Sequence, residues 1–525
     1  MTASLTEKIR HSDHAPREID ELELKGRING ILSRHPAVGL AVGVICNGRL
    51  ELFHGHGLAD IASNTPVTQD TVFRIGSVTK TFTAVAVLQL CEQGLVDLDA
   101  PANDYLRAYR LVPAKAGHRP ATLRQLLTHT AGLPQLVHPW RAYTPILGQT
   151  VRFGQQLPTL AEYYRGGLQL VAEPGTTHTY SNHSFATLGQ LVEDVSGQSL
   201  DRCFRDHLFE PLGMTHTDLV RSDWVRPRLA TGYRLRSDGP HPVGDWDVVT
   251  AAAGSIYSTA TDMARYVAAL LGGGTGEHGS ILQPETLASM FAPHYQPDPR
   301  LAGVGLAFFR RELGGHLVVE HDGLVPGFSS QLALAPDDGV GVVAFTNGAR
   351  GALAWLGAEV SGLLSCMLGI PEEGLRTEVP HHPELWSELC GWYGFRGSFR
   401  DVQRWFVLGA EVFVRRGQLM IRALSPIPAV NRGLALHPDD ERDPYLFRID
   451  LSEVGLGTSR VVFSRAPGVG TTAVHLDLGF APLSFDKQPA SNNPRPWATG
   501  ALGAVAAVTA AKAVRRRRRA HQEVR

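Results

Sequence analysis

The sequence predicts an α+β fold: one antiparallel sheet flanked by helices, a mainly helical region inserted into it, and a small all-β domain after it. Three observations lead there. Two strand–turn–strand patterns stand about 260 residues apart. The stretch between them has helical periodicity and long loops, not the alternating strands and helices of a parallel sheet. Beyond residue 383 the pattern breaks into short strand-like runs separated by turn residues.

In chain order, residues 17–34 carry Ile19, Leu22, Ile28, Ile31 and Leu32 at near-helical spacing and read as an amphipathic helix. Val38–Cys46 and Arg49–His56 flank Asn47-Gly48, a dipeptide that tolerates the positive φ angles of a type I′ hairpin. Thr79–Gln93, Leu123–Thr128, Ser184–Ser196 and Thr261–Leu271 are the helices of the insertion. His316–His321, Ser329–Ala335 and Val340–Phe345 return to strands around the turn Asp337-Asp338-Gly339, and Gly351–Leu368 closes the domain as a helix. Pro371–Pro383 reads as a linker. Trp405–Leu408, Glu411–Arg415, Gln418–Leu424, Tyr445–Leu451, Arg460–Phe463 and Ala473–Leu478 then suggest a β-barrel or sandwich, with 486–499 as loop. The division expected is an N-terminal segment 1–24, a main domain 25–370, a linker 371–383, a β-rich domain 384–485, and a loop with basic tail 486–525.

With 43% hydrophobic and 19% charged residues among 525, the chain can bury cores and is not disordered overall. Its net charge of -1 gives no general attraction to nucleic acid. Lys512, Arg515–Arg519 and Arg525 against Glu523 put the tail at +6, which leaves the remaining 511 residues at -7. Five arginines without interleaved aromatics make a poor nucleic-acid surface, so none is expected as a partner. Peripheral contact of this tail with an anionic membrane is the partner the sequence leaves open. Five scattered cysteines with no C-x-x-C pair exclude a disulfide scaffold or zinc ribbon. Met1–Asp20 has no apolar core of a secretory signal, and no run of eighteen apolar residues exists, so a cytoplasmic protein is expected.

The chemistry centres on Gly76-Ser77-Val78-Thr79-Lys80, ahead of an apolar helix. A serine at a helix N-terminus has backbone N–H groups and the positive end of the dipole beside it. A lysine three residues on lies on the same face. That supplies a proton acceptor and oxyanion donors. The plainer alternative is a capping serine and a solvated lysine. Only six of the 50 basic residues are lysine, and lysine can serve as a neutral base where arginine cannot. Arginine at position 80 is therefore expected to keep the fold and its melting profile but lose the base. Ser484-Phe485-Asp486-Lys487 repeats the spacing without a following helix and is set aside. Tyr180-Ser181-Asn182 offers a proton carrier and an amide that can hold the lysine or the substrate. His321-Asp322-Gly323 ends a strand where Gly323 would let a substrate lie along the edge and Leu324 N–H could donate to an oxyanion. His129 is read as a structural hydrogen-bonding residue. His54 and His56 lack the partners of a metal site, and no nucleotide-binding loop or G-x-S-x-G elbow is present.

Taken together, S-x-x-K, Y-x-N and H-x-G in this order resemble the class C β-lactamase and penicillin-binding-protein-like serine hydrolases. Residues 123–134 (LRQLLTHTAGLP), 210–214 (EPLGM) and 253–264 (AGSIYSTATDMA) are similar to the same family. The resemblance runs over about 25–365. It implies a β-lactamase/transpeptidase-like fold and a serine hydrolase that needs no metal or cofactor. Ser77 would be the nucleophile, Lys80 and Tyr180 proton shuttles, and Asn182, His321, Gly323 and Leu324 substrate-binding residues, with the Ser77 and Leu324 amides forming the oxyanion hole. His321 stands where lactamases and penicillin-binding proteins usually have lysine. A mostly neutral ring does not greet a carboxylate, so small ester or amide substrates are expected. β-Lactamase or D-alanyl peptidase activity, or a non-catalytic binding protein on this fold, are the alternatives.

Overall fold

The computed structural model describes residues 20–495 apart from 372–373, 396–397, 399, 403–404, 406 and 479–481. The basic tail therefore lies outside the described residues. Helix α1 (Glu21–Arg34) starts on Asp20, whose carboxylate accepts from the Leu22 and Glu23 amides and so satisfies first-turn N–H groups that have no helical partner. The helix thus begins inside the expected segment 1–24, because its cap sits at residue 20 and Leu24 already belongs to its buried stripe.

Strands β1 (Gly39–Cys46) and β2 (Arg49–Asp60) form the first hairpin, with Asn47 and Gly48 at φ 51° and 73°. With β3 (Thr65–Pro66), β4 (Phe309–Leu313), β5 (His316–Val325), β6 (Phe328–Ala335) and β7 (Val340–Thr346) they build a seven-stranded sheet in the order β4-β5-β6-β7-β1-β2-β3. Its neighbouring strands are antiparallel. The β1–β7 seam, pairing Leu40 with Thr346 and Cys46 with Val340, joins the two ends of the segment.

The insertion supplies α2 (Thr79–Glu92), α3 (Leu123–Leu127), α4 (Asn182–Ser196) and α5 (Ala260–Leu271), and α6 (Ala352–Leu368) closes the domain. β1 is buried on both faces. Leu40, Val42 and Val44 pack with α1 and α6, whereas Ala41 and Ile45 pack with α2 and α5, the alternation that a strand imposes. α2 is buried nearly all round, with Thr79, Lys80, Thr81 and Thr83 enclosed among its apolar residues; Phe82 stacks on Tyr266 of α5 at 3.9 Å.

Among the described residues, nine strands between Gly391 and Gln488 form a second antiparallel sheet around Tyr393, Phe447, Phe463 and Phe485. Its two edges, Leu434–Ala435 and His437–Pro438, are consecutive in the chain, so the sheet curls until they meet, as in a barrel. The strand Pro482–Gln488 corrects the loop expected from 486, because Leu483 and Phe485 alternate into this core and keep the chain paired. Trp405 lies in a helical turn and the strand starts only at Gly409; the expected strand 405–408 falls partly on residue 406, outside the described residues. Among the described residues no helix is long and apolar enough to cross a membrane.

Candidate active site

Ser77 sits in a 3₁₀ turn, Gly76–Val78, that runs straight into α2. Gly76 has φ +52°, and a Cβ there would come within 2.7 Å of Leu324 N. Glycine alone lets β5 press against the serine turn. Gly323 fills the same need: a Cβ there would meet Ile75 O and Ser330 Oγ. The glycine thus lets the strand and the serine turn pack closely. Leu324 N lies beside the same turn.

Lys80, one turn along α2, has no exposed surface. Its Nζ donates to Asn182 Oδ1 and to Ala253 O, each at 2.8 Å, and lies 2.9 Å from Ser77 Oγ. Burial holds its pKa well below that of an ordinary lysine, and the Asp322 carboxylate opposes that shift. A neutral amine has two N–H groups and one lone pair. In that form the two carbonyl oxygens take the N–H groups and the lone pair is left for the Ser77 hydroxyl. The solvated-lysine reading fails on burial, and the capping reading fails because α2 has no side-chain cap. Burial also overturns the expectation that arginine would be accommodated: a larger, permanently charged fork has no room there.

Asn182 opens α4, which Ser181 caps by accepting from His183 N at 3.3 Å; the Ser181 hydroxyl also donates to Pro134 O at 2.7 Å. Asn182 Nδ2 donates to Gln149 Oε1 at 2.9 Å, so its Oδ1 is turned to Lys80. The Tyr180 ring lies under Lys80 Nζ, 4.9 Å from it. Burial raises the Tyr180 phenol far above its ordinary range, with the Asp322 charge adding to it, while a hydrogen bond with Ser77 works the other way. His129, at φ 57°, accepts from Ser181 N at 3.2 Å and packs 4.4 Å from the Tyr180 ring.

His321 is 1% exposed, and its Nδ1 lies 2.6 Å from Asp322 O. A carbonyl only accepts, so Nδ1 carries the proton and Nε2 keeps its lone pair. Burial, helped by Lys80, drives the ring's pKa down to about 3. The ring is therefore neutral at pH 7, and it packs against Phe309 and Tyr180. Burial raises Asp322 to about 6. The structure thus brings Ser77, Lys80, Tyr180, Asn182, His321, Gly323 and Leu324 together. Sequence reasoning missed Gln149, which is fully buried between Asn182 and Thr250, and Ala253, which acts through a backbone oxygen and leaves no side-chain signal.

The second S-x-x-K lies on a strand, where residues three apart face opposite sides. Ser484 Oγ meets His475 Nδ1 at 2.8 Å, and Lys487 donates to Glu388 O. Among the described residues no group of three or more histidine, cysteine or acidic side chains could hold a metal ion.

The beta-lactamase family profile matches residues 24–358. Penicillin-binding protein 4 of Amycolatopsis lactamdurans is 28% identical over 342 residues, covering 63% of this chain and 86% of that protein. The D-alanyl-D-alanine-carboxypeptidase/endopeptidase AmpH of Escherichia coli K12 is 26% identical over 352 residues, covering 65% and 87%. The octameric penicillin-binding protein homologue from Pyrococcus abyssi superposes with a TM-score of 0.56 at 23% identity, covering 89% of this chain and all of that one, so the shared fold extends into the C-terminal β domain. With a profile match that spans well over half of its length, the chain belongs to the beta-lactamase family and is a serine hydrolase.

Proposed function

We propose that the protein hydrolyses a small ester or amide through an acyl-enzyme on Ser77, with Lys80 as base and Tyr180 as the second proton carrier. The observation that supports this best is the fully buried Lys80, whose Nζ lies 2.8 Å from Asn182 Oδ1 and Ala253 O and 2.9 Å from Ser77 Oγ, so that a neutral amine there has its lone pair left for the serine. Lys80 takes the Ser77 proton as Oγ attacks the carbonyl carbon. The resulting oxyanion sits at the Ser77 and Leu324 amides, where developing charge finds fixed donors. The tetrahedral intermediate collapses when the leaving alcohol or amine receives that proton through Tyr180, whose phenol stays protonated. Water then attacks the acyl-enzyme, gives its proton to Lys80, and Ser77 is released with its own proton restored.

His321 defines the substrate class. The relatives include a penicillin-binding protein and a D-alanyl-D-alanine peptidase. Here a neutral ring occupies the third motif, and its Nε2 offers a lone pair where a carboxylate would need a cation. Uncharged esters and amides suit that position better. The test compares hydrolysis of short-chain nitrophenyl esters, the matching anilides and a penicillin by wild type and Ser77→Ala. Ester or anilide turnover that exceeds penicillin turnover and vanishes in Ser77→Ala supports the reading. Penicillin as the best of the three contradicts it.

A further inference from the structure

We infer that the C-terminal β domain is part of the catalytic apparatus: its segment 400–402 clamps the loop that sets the Asn182 amide against Lys80. The inference rests on the acyl-enzyme reading above. Val402 N–H donates to Gln135 Oε1 at 3.0 Å, and Leu136 N–H donates to Arg400 O at 3.0 Å. The two bonds run in opposite directions across the boundary between the domains. Leu136 is 2% exposed and Asp401 1%, while Gln135 and Val402 are half-buried.

The clamped residues adjoin the site on both sides. Pro134, just before them, accepts the Ser181 hydroxyl at 2.7 Å, inside the Tyr180-Ser181-Asn182 motif. Gln135 O accepts from Gln149 Nε2 at 3.4 Å, and the same nitrogen faces His183 Nε2 at 3.3 Å. With its nitrogen held on that side, Gln149 presents Oε1 to Asn182 Nδ2 at 2.9 Å and to Thr250 Oγ1 at 3.1 Å. Asn182 must then turn its own oxygen to Lys80 Nζ. A Gln149 amide rotated by half a turn would set N–H against N–H and push Asn182 Oδ1 away from the lysine. The relay therefore runs Val402, Gln135, Gln149, Asn182, Lys80.

The β domain is a firm anchor for such a clamp. Arg300 of the main domain bonds Asp443 at 2.9 Å and Phe463 O at 2.8 Å, while Asp298 accepts from Ser464 at 2.5 Å. Gly455 meanwhile abuts Ala354 of α6. Arg460 adds a bond to Glu312 at 3.1 Å, and among the described residues the 400–402 segment is the part of the β domain that bonds Gln135 and Leu136. Gln135 and Gln149 are positioning residues in this scheme; neither touches the reacting atoms.

Labelling of Ser77 by a fluorophosphonate in the full-length protein tests this, because the rate reads serine activation without knowledge of the substrate. Gln135→Met keeps the shape and removes the acceptor; the residue is half-buried at the contact, away from the core. Val402→Pro withdraws the donor from the other side. Each should slow labelling about tenfold, part of the roughly 10²-fold that a 1 Å misplacement costs. Each should also move the acid limb of the labelling rate to lower pH, since an ammonium at Lys80 loses an acceptor. Gln135→Glu should restore both values and Val402→Ala should change neither. Wild-type rates and an unmoved limb in both Gln135→Met and Val402→Pro would overturn the clamp. Absence of label on Ser77 in the wild type would overturn the acyl-enzyme reading itself, and the clamp with it.

Discussion

Replacing Lys80 by methionine separates catalysis from stability. The side chain is fully buried and its Nζ makes three contacts of 2.8–2.9 Å. Methionine fills nearly the same volume with no proton to accept. Burial depresses the lysine pKa, so holding this amine in the core costs stability relative to the solvated ammonium of the unfolded chain. Methionine removes that cost but leaves Asn182 Oδ1 and Ala253 O without a donor, at about 1–3 kcal/mol each. These effects oppose one another, and the melting temperature should move only a few degrees. Activity has no such compensation: loss of one acid–base participant costs roughly 10²- to 10⁴-fold. Lys80→Arg should lose activity similarly and also unfold earlier, since overpacking alone costs about 1–3 kcal/mol. The assay is kcat/KM on a nitrophenyl ester beside a thermal melt of each variant. Lys80→Met with near-wild-type kcat/KM would refute the reasoning and leave Tyr180 as the base.

His321→Lys should raise penicillin hydrolysis relative to ester hydrolysis, read as the ratio of kcat/KM values, because a cation replaces a neutral ring; an unchanged ratio in a folded variant counts against His321 as the selector. Asp322→Asn should stabilise the protein at pH 8 and hardly at pH 4. The folded carboxyl, raised from 3.8 to about 6, holds its proton more tightly than the unfolded chain does, so that stability is present below about pH 4 and lost as pH rises through 6. At about 1.4 kcal/mol per unit the gain is at most about 3 kcal/mol, and melts at the two pH values measure it. Gly76→Ala should cost about 1–3 kcal/mol for a side chain at positive φ, plus the displacement of Leu324. A melt and a labelling rate that both match wild type would show that β5 can retreat freely.

Much of the fold was legible because periodicity and turn chemistry act locally. Asn47-Gly48 marked its hairpin, and the paired hydrophobic runs at both ends of the main domain could be satisfied only by one shared sheet. The site was legible through Ser77, Lys80, Tyr180 and Asn182, whose residue types are tied to the chemistry. Gln149 and Ala253 were not, since a glutamine in a loop and a backbone carbonyl carry no pattern. The close packing of Gly323 against Ile75 and Ser330 was not legible, because those neighbours are distant in the chain. The strand Pro482–Gln488 was missed for a similar reason: its polar residues, Ser484, Asp486 and Lys487, hid an alternation that only the barrel core of Leu483 and Phe485 reveals. The contact of residues 400–402 with Gln135 and Leu136 joins two segments that no local signal links.

The most direct measurement is peptide mapping of the full-length protein after reaction with a fluorophosphonate. The account predicts one adduct per chain, on Ser77, formed faster as pH rises through the depressed pKa of Lys80 and strongly slowed in Lys80→Met. An adduct on Ser484 or on any other serine, with Ser77 left unmodified, would contradict it.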